Sequence, residues 1–207
     1  KVIHNGFSQK DFSFSKEEKE ETRKILEKHK IPKTPFILSL GRLEARKNQG
    51  ILVQAFADFV KKFPEYHLVL AGPEGFGFKE IKRLIKEHRL SHKVHLPGYI
   101  PNEEIKFLLK SAHLFAFPSL AESFGFPVLE AFATHTPVIA SNALEEITGI
   151  GAYLVDPLNV EEWFNALVHV AMDYQLRQDL VRRGLEQLEN FSWEKCIDET
   201  WELLASV

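Results

Sequence analysis

Residues 36–62 read FILSLGRLEARKNQGILVQAFADFVKK, and the fold class follows from them. Phe36–Leu40 is an apolar run too short for a buried helix; it stops at Gly41, so it reads as a strand. After a polar loop, Gln49–Lys62 has a helical pattern, with Phe56, Phe59 and the following Phe63 at near-helical spacing as a core face. The same unit recurs along the chain. Short apolar runs at His67–Ala71, Val94–Leu96, Leu114–Phe117, Val138–Ala140 and Tyr153–Val155 read as strands. Helical patterns at Lys79–Arg89, Glu103–Ser111 and Val128–Phe132 alternate with them. Such alternation requires right-handed crossovers and a parallel sheet covered on both faces, which is an α/β, doubly wound, Rossmann-like fold. Three last helical patterns, Glu161–Met172, Gln175–Glu189 and Trp193–Ala205, have no strand between them and are expected to pack over the sheet or its edge. Trp163, Trp193 and Trp201 would be packing residues there. Near the start, Ser15 and Glu18 form a capping box opening a charged helix that runs to about Lys30, where Pro32 and Pro35 stop it.

The 207 residues, 44% of them hydrophobic, suffice for one substantial core, so residues 1–207 are expected to form one domain, terminal helices included. Lys and Arg number 26 against 29 Asp and Glu, a formal net charge of -3. No global field draws such a chain onto nucleic acid, so any anion site must be local. The single cysteine, Cys196, excludes an intramolecular disulfide and points to a reducing, cytoplasmic setting. No run of about 18 apolar residues is present, and KVIHNGFSQK lacks the apolar centre of a signal peptide. A first residue of Lys rather than Met leads us to expect a piece of a longer protein.

In a doubly wound sheet, ligands sit at the carboxyl ends of strands. Ser39–Gly50, SLGRLEARKNQG, leaves the first long strand there. Gly41 allows the turn, Arg42 and Lys47 bring two cations, and Asn48 is placed to cap the next helix. An Arg fork and a Lys point charge suit a diphosphate. A solvated basic turn, with Arg46 and Lys47 in water, fits the same residues. A second stretch, Ala121–Ala131, AESFGFPVLEA, follows the strand LFAF and Pro118. Glu122–Phe126 then fall in a loop and Pro127 at the first helical position, with Glu130 about one turn in. Gly125 permits close backbone approach, and the early N–H groups of Val128 and Leu129 offer a phosphate seat. Glu122 and Glu130 could take hydroxyls from two directions. Equally, Glu130 could serve the helix dipole and Glu122 be an exposed loop acid.

Together, GRL-x3-KN and the Glu-x7-Glu of ESFGFPVLE closely resemble the nucleotide-sugar domain of retaining family 4 glycosyltransferases of the GT-B fold. VIHNGF, LVLAGP, VHLPGYIPNEEI, FPSLAESFGFPVLEA, TPVIASN and AYLVDP extend the resemblance, in family order, over residues 2–160. It implies transfer of a hexose from a nucleoside-diphosphate sugar to a glycan, lipid or small-molecule acceptor, as in glycan, glycolipid or cell-envelope polysaccharide synthesis. An amino-terminal domain would hold most of the acceptor site, and the isolated donor domain would be inactive without it. Residue by residue, the resemblance implies that Arg42 and Lys47 bind the diphosphate and stabilise its leaving charge. It further implies that Glu122 holds the donor sugar near its reacting carbon, and that Glu130 binds the ribose. Ser123, Phe124, Gly125 and Phe126 would meet the sugar through backbone groups, Val128 and Leu129 the phosphate and ribose, and Gly41 the donor at the first loop. The nucleobase would lie near Pro97–Asn102, at Tyr99. No metal and no cofactor beyond the co-substrate is expected, since no Asp-x-Asp is present. The family leaves room for peripheral membrane association of the full-length protein, though Lys16–Lys24, KEEKEETRK, is mixed in sign and does not call for it. Where the family usually has Gly before Thr-Pro, this chain has His135.

Other classes fare less well. Two acids suggest a glycosidase, but a cationic phosphate seat beside them suits an activated donor better. Gly75 and Gly77 lack the third glycine of a dinucleotide fingerprint and read as a flexible loop. His88, His92 and His95 lack the Cys or acid that would complete a zinc set. A sugar-nucleotide-binding module without turnover, or another GT-B enzyme such as an epimerase or phosphorylase, is the competing class.

Overall fold

The structure, a computed structural model, describes residues 2–12 and 18–206. The expected capping box falls on Ser15, outside the described residues. Among the described residues six strands form one sheet: β1 Phe36–Leu40, β2 His67–Ala71, β3 Val94–Gly98, β4 Leu114–Phe117, β5 Val138–Ser141 and β6 Ala152–Val155. Their order is β3-β2-β1-β4-β5-β6, and every pair is parallel. The chain builds outward from β1 in one direction, then crosses back and builds in the other. The gap between β1 and β4 is therefore the topological switch point, where an open α/β sheet leaves a crevice.

Among the described residues the helices are α1 Glu18–Lys28, α2 Gln49–Lys62, α3 Phe78–Glu87, α4 Asn102–Ser111, α5 Phe126–Ala133, the short α6 Glu145–Thr148, α7 Val160–Met172, α8 Tyr174–Leu188 and α9 Trp193–Ala205. Alternation along each strand sends side chains to two separate cores. Ile37, Leu68, Leu70, Leu114 and Ile139 meet α2, α3 and α7 on one face. Phe36, Leu38, Val69, Phe115, Phe117 and Val138 meet α1, α4 and α5 on the other. Phe36, Ile37 and Leu38 are all buried, each contributing about 1.5–3 kcal/mol by leaving water. Phe56 and Phe59 are buried in the first core with Phe63 packed against them, as their spacing predicts.

Two expectations need correction. Trp163 is buried, but Trp193 and Trp201 are 48% and 73% exposed, because α9 places no residue in either core. Asn48 occupies the position before α2 in a left-handed conformation (φ 56°), yet its side chain makes no cap. The one-residue shift of Pro127, from first to second position of α5, follows from Gly125 (φ 110°) starting the helix at Phe126.

His135 explains its own departure. Thr136 N–H donates to Ala131 O at 2.9 Å and His135 N–H to Phe132 O at 3.0 Å, with His135 at φ 59°. That is the left-handed closing turn of a helix, the position where Gly is the usual residue. Histidine tolerates it at the cost of some backbone strain.

Candidate functional site

The loop after β1 leaves the sheet between two neighbours. Its outer side is stitched to the loop after β2: Leu43 N–H donates to Pro73 O, Gly75 N–H to Leu43 O, and Ala45 N–H to Phe76 O, each at 2.9–3.0 Å. Gly72 (φ 149°) lets this happen, since a Cβ there would lie 2.0 Å from Gly41 O. A Cβ on Gly75 would come within 2.7 Å of the Arg42 side chain. Gly75 therefore packs closely under Arg42, while Gly77 (φ 96°) starts α3. The pair expected to make a flexible loop is instead a packing device, because only hydrogens fit between the two loops.

On its inner side the β1 loop faces the loop after β4, across the switch point. Lys47 Nζ stands 2.5 Å from Glu122 Oε1, with both side chains largely buried. Lys47 also lies over the Phe117 ring at 5.5 Å. Arg46 Nη1 donates to Ala121 O at 2.6 Å and is 3.6 Å from Glu122 Oε2. Asn48 Nδ2, released from capping, donates to Pro157 O at 2.7 Å and Pro118 O at 3.3 Å. It thereby ties three rim loops together. Gln49 Nε2 donates to Arg42 O at 3.1 Å and fixes the turn that carries Arg42. Arg42 itself is exposed, with Nε 3.9 Å from Glu44 Oε2.

Glu122, Ser123 and Phe124 line a recess of about 200 Å³ with His4 and Glu146, which pair at 2.9 Å. Phe124 is buried and its ring packs against Phe126, which is partly exposed. Val128 and Leu129 are fully buried. The Val128 N–H donates to Gly125 O at 2.9 Å, so that donor is engaged within the first turn of α5. Glu130 does not share the recess with Glu122. It opens onto a neighbouring cleft of about 760 Å³ with Asn102, Glu103 and Phe107 of α4. No protein donor reaches its carboxylate among the described residues, and burial raises its pKa to about 7. Tyr99 is exposed just past β3.

The rim thus joins Lys47 and Glu122 directly, sets Arg42 in the same loop, and places Glu130 beyond the start of α5. Arg46, Asn48 and Gln49 were not singled out by sequence reasoning as site residues. The readable signal was Asn directly after Lys47, since Asn accepts left-handed backbone and leaves its amide free to bond elsewhere. His95, of the histidine trio, pairs with His67 at 2.8 Å on adjoining strands. Burial, with Lys93 and the neighbouring histidines, lowers His67 to about 4. No helix among the described residues is long and apolar enough to cross a membrane.

The model of the family described as Glycosyl transferases group 1 matches residues 20–187. The chain belongs to this family. Among its group 1 relatives, the O-antigen chain mannosyltransferase B of Escherichia coli is 31% identical over 179 residues, covering 85% of this chain and 47% of that protein. A D-inositol 3-phosphate glycosyltransferase of Corynebacterium urealyticum is 31% identical over 180 residues, 81% of this chain and 42% of its own length. The chain spans less than half of either relative. In three dimensions it superposes on the HepE protein of Anabaena, crystallised with UDP and glucose, with a TM-score of 0.86 at 24% identity, covering all of this chain and 57% of that one. That likeness carries the GT-B type of fold, in which six parallel strands with flanking helices form a group 1 domain.

Proposed function

We propose that this chain is the donor-binding domain of a retaining hexosyltransferase that uses a nucleoside-diphosphate sugar. The observation that carries the reading is the Lys47–Glu122 pair, 2.5 Å apart and contributed by two loops at the switch point of the sheet. A cation and an acid held there, with Arg42 in the same loop, match what a sugar diphosphate offers: anionic oxygens beside neutral hydroxyls. Arg42 and Lys47 would take the diphosphate, and Glu122 the hexose in the recess with Ser123, Phe124 and Gly125. The largely buried Glu130 carboxylate, which no donor reaches among the described residues, suits the two ribose hydroxyls, which would supply one. An extended donor would then run along the start of α5, from the recess of Glu122 to the cleft of Glu130.

In the transfer step the bond from the anomeric carbon to the phosphate oxygen breaks as the acceptor oxygen bonds on the same face. The acceptor proton passes to the leaving phosphate, so Glu122 need form no covalent bond. Arg42 and Lys47 would stabilise the charge left on the diphosphate. The relatives' names, a mannosyltransferase and an inositol-phosphate glycosyltransferase, support a hexose donor and a glycan or glycolipid product. An amino-terminal domain would supply the acceptor side, and the single cysteine fits a cytoplasmic setting.

Calorimetry of the 207-residue chain with UDP, GDP, ADP and their hexose conjugates tests the donor site. Binding of one nucleotide series is expected, weakened about ten- to a hundredfold in Arg42→Ala and in Lys47→Ala, as loss of a charge-assisted contact implies. Unchanged affinity in both variants would refute the diphosphate assignment. Acceptor-dependent consumption of the donor by the full-length protein separates an enzyme from a binding module.

A further inference from the structure

We infer that Arg46 is a positioning residue for Glu122, the clasp that holds the sugar-facing loop when a donor occupies the site. The inference rests on the donor-site reading above. It starts from a conflict within that site: the Glu122 carboxylate has Lys47 at 2.5 Å on Oε1, yet the same ammonium is the group a diphosphate would attract. A bound diphosphate competes for Lys47, and Glu122 then needs another cation to stay in place. Arg46 Nη1 stands 3.6 Å from the other oxygen, Oε2.

The rest of Arg46 is anchored on the same loop. Nη1 donates to the carbonyl of Ala121, immediately before Glu122, at 2.6 Å. Its own carbonyl accepts from Leu120 N–H at 3.0 Å and from Ser119 Oγ at 3.4 Å. On the opposite side Nη2 donates to Glu44 Oε1 at 3.2 Å, and Glu44 also lies 3.9 Å from Arg42. One guanidinium therefore links both loops. A planar fork with several donors reaches these partners from one rigid group, and its charge beside Oε2 is the part that acts on Glu122. Arg46 makes no contact that would place it on the diphosphate, and it is about half exposed, so removing its charge should leave the fold intact.

The experiment compares nucleotide alone with nucleotide-sugar on the 207-residue chain, by calorimetry with UDP, GDP and ADP and with UDP-glucose, GDP-mannose and ADP-glucose. For the series that binds, Arg46→Met is expected to keep the nucleoside-diphosphate affinity within about twofold while weakening the nucleotide-sugar about tenfold, the scale of one charge-assisted contact. Arg46→Lys, which returns a charge beside Glu122, is expected to recover most of that loss. A merely structural role would weaken both ligands together. Equal weakening of the two, no change in either, or a lysine variant no better than the methionine one would overturn the inference. Should the unaltered chain take none of the three nucleotides, the donor-site reading itself falls and the clasp with it. Loss confined to Arg42→Ala and Lys47→Ala, with both Arg46 variants unaffected, would keep the donor site and reject the clasp alone.

Discussion

At Glu130 the balance between charge and burial can be read from one side chain. Its carboxylate is largely buried, without a donor among the described residues, and desolvation raises its pKa from the ordinary 4.5 to about 7. Between those values the folded protein holds a proton that the unfolded chain has lost. Stability is therefore greatest, as far as this group is concerned, below about pH 4.5, and it falls as pH rises toward 7, by about 1.4 kcal/mol per pH unit at most. Urea unfolding of the unaltered chain and Glu130→Gln across pH 5–8 should diverge in slope, the glutamine variant lacking this decline. Hydroxyl donors to the carboxylate favour its charged form, so nucleotide binding near pH 7 is expected to release a proton. Calorimetry in buffers of different ionisation heat measures that release, and its absence from the unaltered chain would deny Glu130 a ribose. That Glu130 lies in the first turns of a helix was readable from ESFGFPVLE; that it opens onto a different cleft from Glu122 was not, because which cleft receives it depends on how α4 packs beside α5.

Between elements, the position of α5 depends on a glycine far from the site. Gly184 of α8 lies against Gly151 and the ring of Phe132 on α5; a Cβ on it would be 2.5 Å from Phe132 Cδ1. Both α8 and α5 must approach this closely for α5 to lie over β4 and β5, and the residue that allows it lacks a side chain. Gly184→Ala is expected to destabilise the chain by about 1–3 kcal/mol, the usual cost of overpacking a tight contact, despite the gain in helix propensity. The shift would be transmitted to α5, so nucleotide affinity should fall with stability; thermal melts and the same titrations check both. A variant as stable as the parent would mean that α8 yields without disturbing α5. The strands and helices themselves were legible, with Phe36–Leu40 and Gln49–Lys62 bounded as their apolar periodicity and flanking Gly or Pro predict, and Trp193–Ala205 as its periodicity and Ser192 cap predict. Contacts such as Gly184 to Phe132 were not, since hydrophobic periodicity marks which face is buried and says nothing of the neighbour it meets.

Across the whole molecule, the sheet and its two cores close without α9. The alternation of runs from β1 to β6 made the doubly wound order legible, and the order in turn made the β1 and β4 loops the place to look. The fate of α9 was not legible, because its amphipathic pattern resembles that of a packed helix. Trp193, Ile197, Trp201 and Leu204 recur on one side of it, yet all four are exposed, and none of its residues is buried. Ser192 Oγ accepts from Lys195 N–H at 3.0 Å at its start, and Trp193 lies against Gly6 of the amino-terminal segment rather than against the sheet. A chain ending at Ser192 is accordingly expected to unfold cooperatively within a few degrees of the parent, a loss of about 1–2 kcal/mol at most. It should bind the same nucleotide with little change in affinity, since Arg42, Lys47, Glu122 and Glu130 lie on the β1 and β4 loops and on α5. Only Trp163 would remain to fluoresce, and its burial predicts a blue-shifted emission shielded from acrylamide, against the quenchable signal of the parent. Loss of the cooperative transition, or of nucleotide binding, would show that the core depends on α9 after all.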